Sequence, residues 1–404
     1  MTASVQIFGT KVLWNDKILS CNSHDDLSCY KCTNSMNTAW ENKCSYIWAI
    51  PSSKFNYGYT AVASDDKDGF SITYISNKGE YLDRIRLIEH GANSEYPMHG
   101  GIVGGCLAKH AVDTMYFAIF GGYPSGTGSG LVKIKNALTD NQVISWFPLI
   151  FYDSNNTLQG PNIHNCYQFY LHGKWLTFAA VIGAFFTKGS RGFGLMNFNT
   201  LTNSWQANPY QTCLDLSVRS AKQLVWNGNY ENKSIVLTQN YSYNSSDVKH
   251  IEKTTTTVCI LNWKYPELVT QGSQNNEPWW EVETSLIFET PIGSEGGADV
   301  ILGGNPNTFW ISLRSGIEST SSLIFLRYKN RKLSVERTIN LKTEQPRYMT
   351  FIKDDLYICN EADESLQIIK DIKYNPKRQN LHIITIPSSS LQNIGNIMYI
   401  QNVM

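Results

Sequence analysis

His164 is the side chain best suited to moving protons in this sequence. It lies in GPNIHNC, immediately ahead of the run YQFYLHGKWLTFAAV, which reads as strand, turn and strand. Imidazole titrates near neutral pH, so a histidine at that place can serve as a general acid or base. The competing reading is a histidine that caps the start of its strand through hydrogen bonds. Arg314, in FWISLRS, ends a strand just before Ser-Gly. There a guanidinium either holds an anion or is an ordinary solvated charge. Glu295 and Asp299 flank the Gly-Gly of SEGGADV, a loop–strand junction from which carboxylates can line a pocket.

Other chemistry-bearing features have plainer readings. Of nine cysteines, Cys106, Cys166, Cys213, Cys259 and Cys359 are scattered, often in apolar runs, as buried thiols are. Cys21, Cys29, Cys32 and Cys44 cluster, with one C-x2-C pair. Three readings stay open for them: a zinc site, disulfides in a secreted protein, or a cysteine-containing loop. The spacing is not that of a standard zinc module, and the loop is the expected outcome. The segment GYPSGTGSG at 122–130 lacks the Lys-Ser/Thr of a phosphate-binding loop and an adjoining helix, so it reads as a loop. The Trp pair at 279–280 reads as packing, with an exposed aromatic site as the alternative.

Composition narrows the class of protein. The 404 residues are 42% hydrophobic and 17% charged, which is globular. Thirty-four basic residues cancel 34 acidic ones, so no overall field recruits nucleic acid or an anionic membrane. No apolar run approaches the roughly 20 residues that span a bilayer. The start MTASVQIFGTKVLW lacks a basic end followed by an apolar stretch, so it is not a signal peptide as written. The expectation is therefore a cytoplasmic protein, or a secreted one if a signal peptide was removed. Sequons at Asn155, Asn232, Asn240 and Asn244 are what an Asn-rich chain contains by chance.

The elements that must position these residues are strands. Helical periodicity is nearly absent, while short runs rich in β-branched and aromatic residues recur between turn residues: YIWAIP, TMYFAIFGG, SIVLTQNY, VCILNW, FWISLRS, DLYICNEAD. They repeat in units, as in CYQFYLHGKWLTFAAVIG, KQLVWNGNYENKSIVLTQNYS, ADVILGGNPNTFWISLRSG and RYMTFIKDDLYICNEAD. The period, about 50–75 residues, is that of blades. A small antiparallel sheet cannot bury both faces alone, but radially arranged sheets cover one another. Six such units plus the leftover termini predict an all-β, seven-bladed β-propeller, one blade closed by strands from both chain ends. It forms a single domain over residues 1–404.

The C-terminal third, from GGADVILGG to ESLQIIK, resembles the lactonase seven-bladed propeller family. That family includes propeller-type 6-phosphogluconolactonases and fungal carboxy-cis,cis-muconate lactonising enzymes. The family cadence of Pro-Arg opening one strand and Asn-Glu ending the next is kept in Pro346-Arg347 and Asn360-Glu361. GPNIHNC resembles the family's blade start, where a histidine follows a glycine and faces the central cleft. The resemblance covers residues 95–385 well. Residues 1–90, with the Cys-rich loop at 21–44, are more divergent blades.

The resemblance implies an active set of one His, one Glu and two Arg. His164 falls on the histidine and Arg314 on the arginine of the later blade. The arginine opening the intervening blade appears as Lys222, unless Arg219 takes its place after a local shift. The glutamate appears as Gln239, which is neutral at every pH and cannot transfer a proton. Glu295 or Asp299 is then a candidate to replace it. The implied function is hydrolysis or formation of a small anionic lactone, or of a muconate-type dicarboxylate lactone. Opening a lactone needs a proton donor or acceptor and a cation for the substrate's charge, and neither a metal nor a cofactor. The alternatives are a degenerate propeller that binds a ligand with Gln239 and Lys222, or an interaction scaffold presenting loops 264–284 and 18–45. The expected partner is a small anion in the central funnel; a protein partner stays open.

Overall fold

A computed structural model describes the main chain of thirty strands between Ala3 and Val403, together with several of the turns that join them. Side chains are described mainly over 130–148, 220–225, 231–238, 255–263, 281–289, 297–314 and most of 321–387. The described residues are all-β. Among them no helix is long and apolar enough to cross a membrane. The strands form seven four-stranded antiparallel sheets and one two-stranded ribbon. The chain divides into two compact units, 88–340 and a discontinuous one made of 1–87 with 341–404.

In the 88–340 unit, four four-stranded sheets follow one another in sequence order. Their first strands, Ile102–Leu107, Ile163–Leu171, Ser217–Trp226 and Gly296–Leu302, each pack beside the next. The other unit contains two complete sheets, 44–86 and 346–387, and a third of different make-up. In that third sheet Ile397–Val403 pairs with Ala3–Gly9, which continues to Leu13–Ile18 and Ser35–Met36. Strands from both chain ends thus build one sheet, as the repeat count predicts.

Strand composition follows from position within a sheet. Middle strands have both faces covered by neighbouring sheets and so read as nearly unbroken apolar runs. Thr308–Arg314 is buried at every residue but the last, and Ser365–Ile369 is buried throughout. Fourth strands alternate, as in Ile383–Pro387, because one face meets water. Between the 217–290 and 296–340 sheets lies a core of Leu237, Val258, Ile260, Val300, Ile311 and Ile324 with their neighbours. Trp310 and Phe325, both fully buried, pack with their rings tilted by 41° and centroids 4.8 Å apart. Cys259 and Cys359 are buried, as their apolar runs predict.

A charged cluster ties the same two sheets together on the fourth-strand side. Glu283 is the bulged residue of Trp280–Thr290, skipped between Val282 and Thr284 in the pairing with Leu261 and Ile260. Lys233 Nζ donates to Glu283 Oε2 at 2.8 Å and to the Tyr328 hydroxyl at 2.8 Å, and that hydroxyl donates to the same carboxylate. Arg331 Nε lies 2.7 Å from Glu283 Oε1. Arg331 holds a left-handed φ of 60°, beside Asn330 at 52°, in the two-residue turn joining Lys329 to Lys332. Such a turn normally favours Asn-Gly, and here the second place goes to the arginine that reaches Glu283.

Burial would raise the pKa of Glu283, but hydrogen bonds from Lys233 and Tyr328 and the charges of Lys233 and Arg331 outweigh it and hold the carboxyl below its usual range. A carboxylate with a depressed folded-state pKa stabilises the protein above its unfolded-state pKa. That contribution is lost as the pH falls through the folded-state value. Glu283→Gln is therefore expected to cost about 1–3 kcal/mol at neutral pH. Its deficit against the wild type should shrink as the pH falls through the carboxylate range, as urea unfolding at a series of pH values would reveal.

Candidate active site

Two of the residues singled out for chemistry, His164 and Arg219, lie at one recurring structural position. In every four-stranded sheet one edge strand skips one residue near its start, where two residues oppose one on the neighbouring strand. In the 88–340 unit the skipped residues are Val103, His164, Arg219 and Ala298. In the other unit they are Ser45, Arg347 and Met398. A bulge bends its strand and redirects the extra side chain, and bulges are frequent beside active sites. Since the bulge recurs with valine, alanine and methionine too, it belongs to the fold. The chemistry depends on which residues occupy it.

The pairing puts Arg219 and Lys222 at different places on their strand. Arg219 occupies the bulge and so matches His164 of the preceding sheet. Lys222 lies three residues further along, opposite Ile235, and is half-buried. On the second strands, Gln239 pairs with Ser217 and Arg314 with Gly296, each one step beyond the residue that faces the bulge. Gln239 and Arg314 are thus equivalent residues of adjoining sheets. Arg314 is half-buried, with its Nε buried.

The seam between these two sheets is closely determined. Ser220, directly after the Arg219 bulge, donates its hydroxyl to Asp299 Oδ1 at 2.8 Å. Asp299 directly follows the Ala298 bulge. Val300 N donates to the same Oδ1 at 2.8 Å and lies 3.2 Å from the Ser220 hydroxyl oxygen, which accepts from it. Asp299 N in turn donates to Ser312 Oγ at 3.2 Å. On the other side of the bulge, Gly297 N donates to Thr256 Oγ1 at 2.8 Å, and Thr256 is the cross-strand partner of Gln239. A Cβ on Gly297 would fall 2.9 Å from Thr256 Cγ2 and 3.0 Å from both methyls of Leu237. The second glycine of SEGGADV therefore serves the close approach of two sheets.

Asp299 is 9% exposed and faces hydrogen-bond donors within the seam. That placement differs from the pocket-lining position its sequence context suggests. Glu295, the side chains of His164, Arg219 and Gln239, the cluster Cys21, Cys29, Cys32 and Cys44, the 122–129 loop and Trp279 fall outside the described residues or side chains. Asn360 is buried in a side-chain network: its Oδ1 accepts from Thr343 Oγ1 at 3.1 Å and its Nδ2 donates to Ser365 Oγ at 3.2 Å. Sequence reasoning missed Ser220 and Thr256. The available signal was a polar residue directly after each of three bulge positions, in His164-Asn165, Arg219-Ser220 and Ala298-Asp299.

No family model and no curated protein matches the chain by sequence. Solved structures do match in three dimensions. The periplasmic gluconolactonase of Pseudomonas aeruginosa superposes with a TM-score of 0.63 at 9% identity, over 100% of this chain and 99% of that one. The fold is a β-propeller. A candidate 6-phosphogluconolactonase from Bacteroides fragilis gives 0.62 at 11% identity, covering 100% and 98%. A protein from Lactobacillus plantarum gives 0.62 at 11%, covering 100% of both chains. The recurring bulge is a fixed site on one edge strand of each four-stranded sheet, and two of the four in the 88–340 unit carry titratable or cationic residues.

Proposed function

We propose that this propeller hydrolyses or forms a small anionic lactone, a sugar lactone or a muconate-type one, with His164 as its proton-transferring group. In the hydrolytic direction the neutral imidazole takes a proton from water as the water oxygen bonds to the lactone carbonyl carbon. The ring C–O bond then breaks, and the leaving alkoxide receives the proton from the imidazolium. Arg219 and Arg314 hold the substrate's carboxylate or phosphate, for which a planar guanidinium is suited. Gln239 supplies hydrogen bonds and no charge.

The observation that carries this reading is the register. It aligns His164 with Arg219, and Gln239 with Arg314, at the same end of adjoining sheets. Three of the four groups that the family resemblance implies are then present, with Arg219 in place of Lys222. Lactones enter as the substrate class because a gluconolactonase shares the fold.

The second reading is a propeller that binds such an anion without turning it over. Two observations favour it: glutamine stands where the family has glutamate, and Asp299 is engaged in the seam. One assay separates the two. Wild type and Gln239→Glu are compared on a panel of sugar lactones and muconates. The enzyme reading expects wild-type turnover. Silence in the wild type with a gain of about 100-fold over background in Gln239→Glu would mean a site disabled at one residue. Silence in both would end the lactone reading.

A further inference from the structure

Asp299 is buried and hydrogen-bonded, yet it stands beside the predicted site rather than in the main hydrophobic core. Its carboxylate oxygen Oδ1 accepts from the Ser220 hydroxyl and from Val300 N, each at 2.8 Å. A hydroxyl caught between a carboxylate and a backbone N–H has its rotor fixed, because it must donate to one and accept from the other. Ser220 is only 2% exposed, so water does not compete for that geometry. The backbone thus locked is the residue immediately after the Arg219 bulge. The bulge leaves Arg219 outside the ladder, where pairing alone specifies its placement poorly.

We infer that the Asp299–Ser220 pair is a positioning device that fixes the Arg219 bulge against the adjoining sheet, with Gly297–Thr256 as the second anchor beside Gln239. The pair touches no substrate and transfers no proton. It sets the spacing between Arg219 on one sheet and Arg314 on the next, and through that spacing the size of anion held between them. This rests on the proposed anion site for its consequence and on the seam alone for its geometry.

The test uses the full chain and the variants Asp299→Ala, Asp299→Asn and Ser220→Ala. Asparagine keeps an Oδ1 acceptor for both donors, so it should behave like the wild type, while the two alanines remove the clamp. The first readout is the set of backbone amide resonances of Arg219 and Gln239, with Ile368 as a remote control. Both alanine variants should displace the Arg219 resonance and leave Ile368 in place, and Asp299→Asn should restore it. An unmoved Arg219 resonance in Ser220→Ala, or equal displacement in Asp299→Asn and Asp299→Ala, overturns the inference. Should Asp299→Ala not fold, Ser220→Ala, the smaller change, decides alone.

The second readout is calorimetric binding of cis,cis-muconate. Binding should weaken about 10- to 100-fold in the alanine variants and stay near wild type in Asp299→Asn. Wild type that binds no muconate would count against the anion site and leave the resonance test standing. A lowered melting temperature without a displaced Arg219 resonance marks a merely structural role and overturns the inference.

Discussion

Replacing His164 by alanine is expected to cost at least about 100-fold in lactone kcat/KM, the usual contribution of a positioned acid–base group. The melting temperature should change little. His164 is the skipped residue between Ile163 and Asn165, so its backbone sits outside the regular ladder opposite Val181 and Ile182. Shortening such a side chain leaves the ladder hydrogen bonds intact. The sign of the pH dependence follows from the role. A general base works as neutral imidazole, so wild-type kcat/KM should rise with pH through about 6 to 7 and level off above. A profile flat from about pH 5 to 8, or a His164→Ala variant with undiminished turnover, would remove the histidine from the mechanism.

The largest expected loss of stability is at Leu237. It is fully buried in the core shared by the 217–290 and 296–340 sheets, and both its methyls stand against Gly297. Truncation to alanine removes apolar contacts and leaves a cavity whose walls are strands held by their own ladders, which collapse poorly onto it. The expected cost is about 3–4 kcal/mol, inside the range for buried Leu→Ala, measured as a lowered urea midpoint at unchanged slope. Leu237 also pairs across to Ser220, so lactone turnover should fall together with stability. A loss below about 1 kcal/mol would mean that the neighbouring sheet closes onto the gap.

The fold was legible because its middle strands are apolar on both faces. Runs such as FWISL and LYIC have no other use for that pattern, and the turns between them punctuate it. The closing sheet was legible only as an arithmetic remainder, since nothing in SVQIFG points to IMYIQNV. The site was half legible. His164 and Arg314 stand out as charged or titratable residues at strand ends, but Arg219 and Lys222 could not be told apart. They stand three residues apart on one strand, and the bulge that falls on Arg219 has no composition of its own. Asp299 looked like a pocket carboxylate because its partner Ser220 lies 79 positions away in the chain, and Thr256 sits in a threonine run that reads only as strand. The Glu283 cluster was invisible for the same reason: Lys233, Tyr328 and Arg331 meet it only once two sheets have packed.

One sheet draws three strands from residues 3–36 and its fourth from Ile397–Val403. During synthesis the ribosome delivers the first three strands well before the fourth, because the other sheets lie between them in the sequence. Until then Ala3–Gly9 presents an open edge of backbone N–H and C=O groups, the kind of template that recruits strands from other chains. The nascent protein therefore carries its own aggregation hazard until Ile397–Val403 arrives. Slow translation of the intervening repeats would lengthen that exposure, and a chaperone that shields a β-edge would have most to do at Ala3–Gly9.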